Sequence, residues 1–221
     1  MPERSSVFDM IGPIMIGPSS SHTAGVVKIA LVAVKILGDY PDSAEITFYN
    51  SFARTYEGHG SDKAVIGGLL GYQTDDKRIK QSLKNAQEKG LSYTFQSVGN
   101  SSTYHPNTIR IRIKKEEKLT ELIGESLGGG VIRIVSVNGY ETSFGANTHT
   151  LVIIANDTKG GIAFMTNVLA NDDCNIAFMT VARRQKKGQA LWVLELDSGI
   201  ADLTLEYIKA IRWVEDVVYF K

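Results

Sequence analysis

Two periods govern the apolar positions of this chain, one near 3.6 residues and one of 2. The helical period is densest over residues 26–37. There Val26, Val27, Ile29, Ala30, Leu31, Val32, Ala33, Val34 and Ile36 cover most of a helix circumference, and only Lys28 and Lys35 interrupt them. This predicts a mostly buried helix from His22 or Thr23 to about Leu37, stopped by Gly38. Residues 62–70 and 77–89 predict two shorter helices. Gly67, Gly68 and Gly71 make the end of the first close-packed or weak, and Gly90 closes the second. The period of 2 predicts strands over 43–50, 91–98, 108–114, 119–125 and 131–137. In 108–114, Ile109, Ile111 and Ile113 face one way and Arg110, Arg112 and Lys114 the other. Gly128-Gly129-Gly130 reads as a hairpin turn, because no strand-to-helix transition follows it as a phosphate loop requires. Residues 51–57 read as a connection. At the front, Ile11-Gly12-Pro13 and Ile16-Gly17-Pro18 repeat one phrase that excludes a helix, and Ser5 can cap a short turn through Val7, Phe8 and Met10.

Beyond residues 142–147, where the composition changes and a linker is expected, the order is strand (148–156), helix (161–169), strand (175–184), strand (189–196), helix (202–211) and strand (214–220). That is βαββαβ, a ferredoxin-like unit. The fold class is α+β: a mixed-sheet domain over 1–145, then a ferredoxin-like domain over 146–221.

Composition narrows the function. Of 221 residues, 43% are apolar and 22% charged, and 24 basic residues balance 24 acidic ones, so no charge excess points to nucleic acid or an anionic membrane. The basic face of 108–114 is expected to be a solvated strand face. No apolar run approaches the roughly 20 residues that span a bilayer. Met1-Pro2-Glu3-Arg4-Ser5 leads into a mixed segment rather than a signal-peptide core, which sets the expectation of a cytoplasmic protein. The one cysteine, Cys174, has no partner for an intrachain disulfide and cannot alone hold a metal cluster. It reads as a small buried hydrophobe at a strand start.

The candidate chemistry sits in turns. Gly17-Pro18-Ser19-Ser20-Ser21-His22-Thr23-Ala24-Gly25 opens the apolar helix, where free N–H groups and the helix dipole favour a small anion. One hydroxyl suffices for a cap, and three are more than capping needs. His59 lies between Gly58 and Gly60, so a substrate can approach its ring, and Asp62 can cap the next helix or orient the ring. His105 follows Tyr104 and precedes Pro106-Asn107-Thr108; His149 begins the first strand of the second domain. No close histidine spacing marks a zinc site, no Gly-x-Ser-x-Gly elbow marks a serine hydrolase, and no Gly-x-Gly-x-x-Gly marks a dinucleotide site.

Three stretches together carry a family resemblance: Gly17 through Gly25, Gly58-His59-Gly60-Ser61-Asp62-Lys63-Ala64, and His105-Pro106-Asn107-Thr108. They resemble the signature stretches of the beta chain of bacterial iron–sulfur L-serine dehydratases, with Ser61 where threonine is expected. The βαββαβ tail resembles an ACT domain. The resemblance implies conversion of L-serine to pyruvate and ammonia, with a [4Fe–4S] cluster acting as Lewis acid on the substrate hydroxyl. The cluster's cysteines belong to a partner alpha chain, so no metal ligand is expected in this chain. A monovalent cation is a further candidate cofactor. His59 is the implied general base and His22 its assistant. Ser19, Ser20, Ser21 and Thr23 are the implied carboxylate contacts, with Asn107 and His105 as further polar contacts. A homodimer through either domain is expected. Similar domains in some phosphoglycerate dehydrogenases imply an alternative, a regulatory subunit that binds serine or another small anion. In the ACT-like second domain Lys159 stands where ACT domains commonly have proline, so Gly160-Gly161 reads as a tight turn in a module that only dimerises.

Overall fold

The apolar helix forms where its pattern places it. Helix α1 (Gly25–Leu37) ends on Gly38, whose left-handed φ of 89° lets its N–H return to the Val34 carbonyl. It is preceded by a π-helical turn, Ser20–Ala24, capped by Ser19. Helix and turn together make an 18-residue stretch, Ser20–Leu37, long and apolar enough to cross a membrane by length and composition alone. In the fold this surface is mostly buried. Val26, Val27, Ile29, Ala30 and Ala33 have no solvent exposure, and each such Val or Ile contributes about 1.5–3 kcal/mol of burial.

The structure is a computed structural model that describes residues 13–186 and 188–221. The short turn expected around Val7, and the first Ile-Gly-Pro phrase as far as Gly12, lie outside the described residues. The chain divides into two compact units, Met1–Gly139 and Tyr140–Lys221.

In the first unit, β1 (Ser43–Tyr49), β2 (Ser92–Val98), β3 (Thr108–Lys115), β4 (Lys118–Gly128) and β5 (Val131–Val137) form a sheet in the order β2-β1-β3-β4-β5. β1 and β2 are parallel and the other pairs antiparallel, so the sheet is mixed. Ile109, Ile111 and Ile113 are fully buried, and Gly124 of β4 leaves room for the Ile29 side chain of α1. On the opposite face Arg110 donates to Thr47, Arg112 pairs with Glu45 at 3.6 Å and Lys114 with Glu117 at 3.9 Å. Each basic side chain has a local partner, as a solvated strand face does, and such exposed pairs contribute about 0–1 kcal/mol.

Two elements of this unit differ from the sequence reading. The connection after β1 contains a helix, α2 (Asn50–Thr55), entered through Asn50 at a φ of 52°. The helix expected over 77–89 is split into a 3-10 turn, Lys77–Gln81, capped by Asp76, and α4 (Ser82–Glu88). Helix α3 (Ser61–Leu69) stands between them, and its glycines serve close packing. A Cβ on Gly68 would lie 2.6 Å from the Val27 carbonyl oxygen and 2.6 Å from the Ala30 methyl.

The second unit opens with β6 (Tyr140–Phe144), on residues the sequence assigns partly to a linker. Tyr140 and Phe144 are both buried, which is the reason a strand forms there. The division between the two compact units falls at 139/140. Then come β7 (His149–Asn156), α5 (Gly161–Asn171), β8 (Ile176–Arg183), β9 (Gln189–Leu196), α6 (Asp202–Lys209) and β10 (Val214–Phe220). The sheet order β10-β7-β9-β8, all antiparallel, is that of a ferredoxin-like βαββαβ module. Its own core includes Leu151, Ile153, Met165, Leu169, Trp192 and Leu194. Cys174 is buried just before β8, its thiol directed to the Ser198 carbonyl at 3.5 Å.

Candidate active site

Two of the three turn histidines meet. The π-helical turn before α1 carries His22, and the short link between α2 and α3 carries His59. Their ring centroids are 4.7 Å apart and tilted by 45°. Phe52 of α2, fully buried, meets the His22 ring edge-on at 5.0 Å. An apolar wall on one side and a second imidazole on the other hold the His22 pKa below its ordinary value. Burial is the larger cause and the nearby His59 the smaller. His22 is therefore neutral at physiological pH.

The serine cluster serves this ring directly. Ser19 Oγ accepts the His22 backbone N–H at 3.2 Å, as an N-cap does. Ser19 Oγ and Ser21 Oγ each lie 3.2 Å from His22 Nδ1, and 3.3 Å from each other. His22 Nε2 and His59 Nδ1 are buried and have no hydrogen-bond partner among the described residues. Buried polar atoms are nearly always satisfied, so these two ring nitrogens on adjacent imidazoles are groups with hydrogen-bonding capacity to offer a ligand.

Thr23 does not face outward. It is buried, and its hydroxyl reaches the His59 carbonyl at 3.4 Å. Ser20 lies in the same turn, half-buried. Asp62 lies in the first turn of α3 with one carboxylate oxygen buried and without a partner among the described residues. Burial raises its pKa, against the backbone N–H groups of Lys63 and Asp62, which favour the charged form. Its role is at the helix start; no hydrogen bond links it to the His59 ring among the described residues.

The third motif is tied to the first through β4. His105 Nδ1 accepts the Asn107 N–H at 3.1 Å, which leaves the neutral ring's proton on Nε2. Asn107 accepts the Ser126 N–H on its carbonyl at 2.9 Å, and its side-chain amide reaches the Ser126 carbonyl at 3.5 Å. Ser126 in turn packs its hydroxyl against Gly25, where a Cβ would lie 2.1 Å away. The loop bearing His105 is pinned to α2 by Asn50, whose amide donates to the carbonyls of Ser101, Tyr104 and His105. His149 lies in the second unit with its Nδ1 on the Tyr219 hydroxyl at 2.7 Å.

Sequence reasoning missed Ser61 and Ser126. Ser61 Oγ donates to the His22 carbonyl at 2.7 Å, and Ser126 is fully buried against the start of α1. Ser61 does lie inside a quoted motif; its partner, 39 residues away, is not visible in a linear pattern.

Fold and site together define a two-unit α+β chain that presents a pair of facing, half-buried imidazoles at the start of a buried helix. Comparison with known proteins shows what this chain is similar to. A model of the serine dehydratase beta chain matches residues 6–136. A probable L-serine dehydratase beta chain of Bacillus subtilis is 45% identical over 201 residues, 91% of each chain. The L-serine dehydratase beta chain of Peptoniphilus asaccharolyticus is 36% identical over 198 residues, 89% of each. A D-3-phosphoglycerate dehydrogenase of Bacillus subtilis is 27% identical over 160 residues, 72% of this chain and 30% of that one. Among solved structures, the ACT domain from a GTP pyrophosphokinase of Chlorobium tepidum aligns with 33% of this chain, with a TM-score of 0.27 and 17% identity. This chain belongs to the serine dehydratase beta chain family.

Proposed function

We propose that the chain supplies half of an active site that deaminates L-serine to pyruvate and ammonia, the other half coming from a separate alpha chain. The observation that supports this reading is the imidazole pair with two buried, unpartnered nitrogens. The reaction needs the serine Cα proton removed and the β-hydroxyl lost as water. The resulting aminoacrylate then tautomerises and hydrolyses to pyruvate and ammonia. His59, between two glycines, takes the Cα proton. His22 is kept neutral by burial and anchored at Nδ1 by Ser19 and Ser21, so its Nε2 is the end free to hold substrate or pass a proton. The N–H groups at the start of the helix favour the substrate carboxylate, with Ser20 and Asn107 as the remaining polar contacts.

The [4Fe–4S] cluster implied by the family resemblance does not fit the donors of this chain. Its one cysteine lies buried in the second unit, and no group of three or more His, Cys, Asp or Glu that could hold a metal occurs among the described residues. In this reading the cluster's ligands belong to the alpha chain. The chain is expected to self-associate as a homodimer, which light scattering of the purified chain would read.

The test is His59→Asn in the assembled alpha–beta enzyme. Loss of general-base catalysis predicts a fall in kcat of about 10²-fold or more. Near-normal turnover would remove His59 from the chemistry. A changed activation profile at unchanged maximal rate would favour the regulatory alternative.

A further inference from the structure

The rings of His22 and His59 face each other without a hydrogen bond between them, so backbone anchoring must set their relative placement. That anchoring is reciprocal. The His22 N–H goes to its own cap, Ser19 Oγ, while its carbonyl accepts from the Ser61 hydroxyl at 2.7 Å. The His59 N–H goes to its own helix, at the Thr55 carbonyl, 2.9 Å away, while its carbonyl accepts from the Thr23 hydroxyl at 3.4 Å. Each histidine's carbonyl is therefore held by the hydroxyl of a residue close in sequence to the other histidine.

Burial makes these ties stiff. Ser61 has no solvent exposure and Thr23 has 2%. Ser61 is fixed in addition by its own N–H, which donates to the Tyr56 carbonyl at 2.7 Å. Thr23 is fixed from behind by Gly17, where a Cβ would lie 2.5 Å from the threonine methyl. The turn that carries His22 is π-helical, a wide and uncommon geometry that needs tertiary support. Ser61 gives that support at the carbonyl of the histidine itself.

We propose that Ser61, together with Thr23, is a positioning residue that sets the pitch of His22 against His59. The proposal rests on the reading that this pair performs the proton transfers. Both hydroxyls are engaged by a histidine carbonyl. The serine-rich turn therefore divides its labour: Ser19 and Ser21 hold the His22 ring, and Thr23 holds the other histidine.

The experiment compares Ser61→Ala, Ser61→Thr and Thr23→Val in the assembled alpha–beta enzyme, and follows the His22 ring titration by NMR in the beta chain. Ser61→Ala and Thr23→Val should each lower kcat by roughly three- to tenfold, with KM for L-serine within about twofold of wild type. In Ser61→Ala the loosened turn admits water, and the His22 titration should move up toward the ordinary imidazole value. Ser61→Thr keeps the hydroxyl and should restore both kcat and titration. Wild-type kcat with an unmoved titration in Ser61→Ala would overturn the proposal, as would a loss in Ser61→Thr equal to that in Ser61→Ala. Should Ser61→Ala fail to fold, wild-type kcat in Thr23→Val would overturn it instead. If His59→Asn retains turnover while the titration still moves in Ser61→Ala, the catalytic reading falls and the cross-tie stands.

Discussion

At the scale of single residues, the site is governed by what is left unsatisfied. His22 has one ring nitrogen shared by two serine hydroxyls and the other buried without a partner among the described residues. Burial, and then the charge of His59, lower its pKa. Linkage gives the sign of the pH effect. The unfolded chain takes up a proton at His22 near pH 6.5, and the folded chain resists it. The resulting penalty is absent above pH 6.5 and grows as pH falls from there toward the depressed folded pKa. Thermal stability measured between pH 8 and 5 should therefore fall across the acid half of the range, and His22→Asn should flatten that part of the curve. An unchanged slope in the variant would assign the pH dependence to other groups. The residues of this site were legible in the sequence as types: three histidine turns, a run of hydroxyls, glycines beside His59. Their roles were less so. Thr23 reads as a ligand contact in the linear motif, yet its hydroxyl is turned onto the His59 carbonyl. No local pattern reports a partner 36 residues away.

At the scale of elements, close approach decides where side chains can be. α3 crosses α1 at Gly68, and a Cβ there would meet the Val27 carbonyl oxygen at 2.6 Å. A backbone oxygen cannot swing aside, so Gly68→Ala should destabilise the first unit by about 1–3 kcal/mol, read as a lower denaturant midpoint at unchanged slope. Gly25→Ala meets the Ser126 side chain instead. Its cost should be partly recovered in the double variant with Ser126→Gly, a coupling that a double-mutant cycle reads directly. Strict additivity of the two changes would show that the contact does not limit the helix position. The long, periodic elements were readable from pattern alone, and the bounds of β9 and β10 coincide with those expected. α2 was not, because six residues contain no helical period. It is held by tertiary bonds, from the Ser51 N–H to the Pro106 carbonyl and from the Asn50 amide to the loop beyond. β6 was hidden for a related reason: Thr142 and Ser143 look like linker residues, and only the burial of Tyr140 and Phe144 reveals the alternation.

At the scale of the whole molecule, each of two units has its own core. The first unit holds the imidazole pair; the second is a ferredoxin-like module with its own apolar centre. Both tryptophans, Trp192 and Trp213, lie in that second centre, 5.7 Å apart. Tryptophan fluorescence thus reports the second unit alone. In Gly68→Ala, far-UV circular dichroism should show an earlier transition while the fluorescence midpoint stays at its wild-type value. Coincident shifts in both signals would mean that the units unfold as one. The division of labour also fits a chain that depends on a partner. The orphaned nitrogens lie on this chain, and its cysteine lies in the other unit, buried.

The most direct test of the account is L-serine-dependent pyruvate formation under anaerobic conditions, with the beta chain alone, its partner alpha chain alone, and the two mixed. A split site predicts turnover in the mixture only. Full turnover by the alpha chain alone would contradict the account and leave the imidazole pair without a catalytic part.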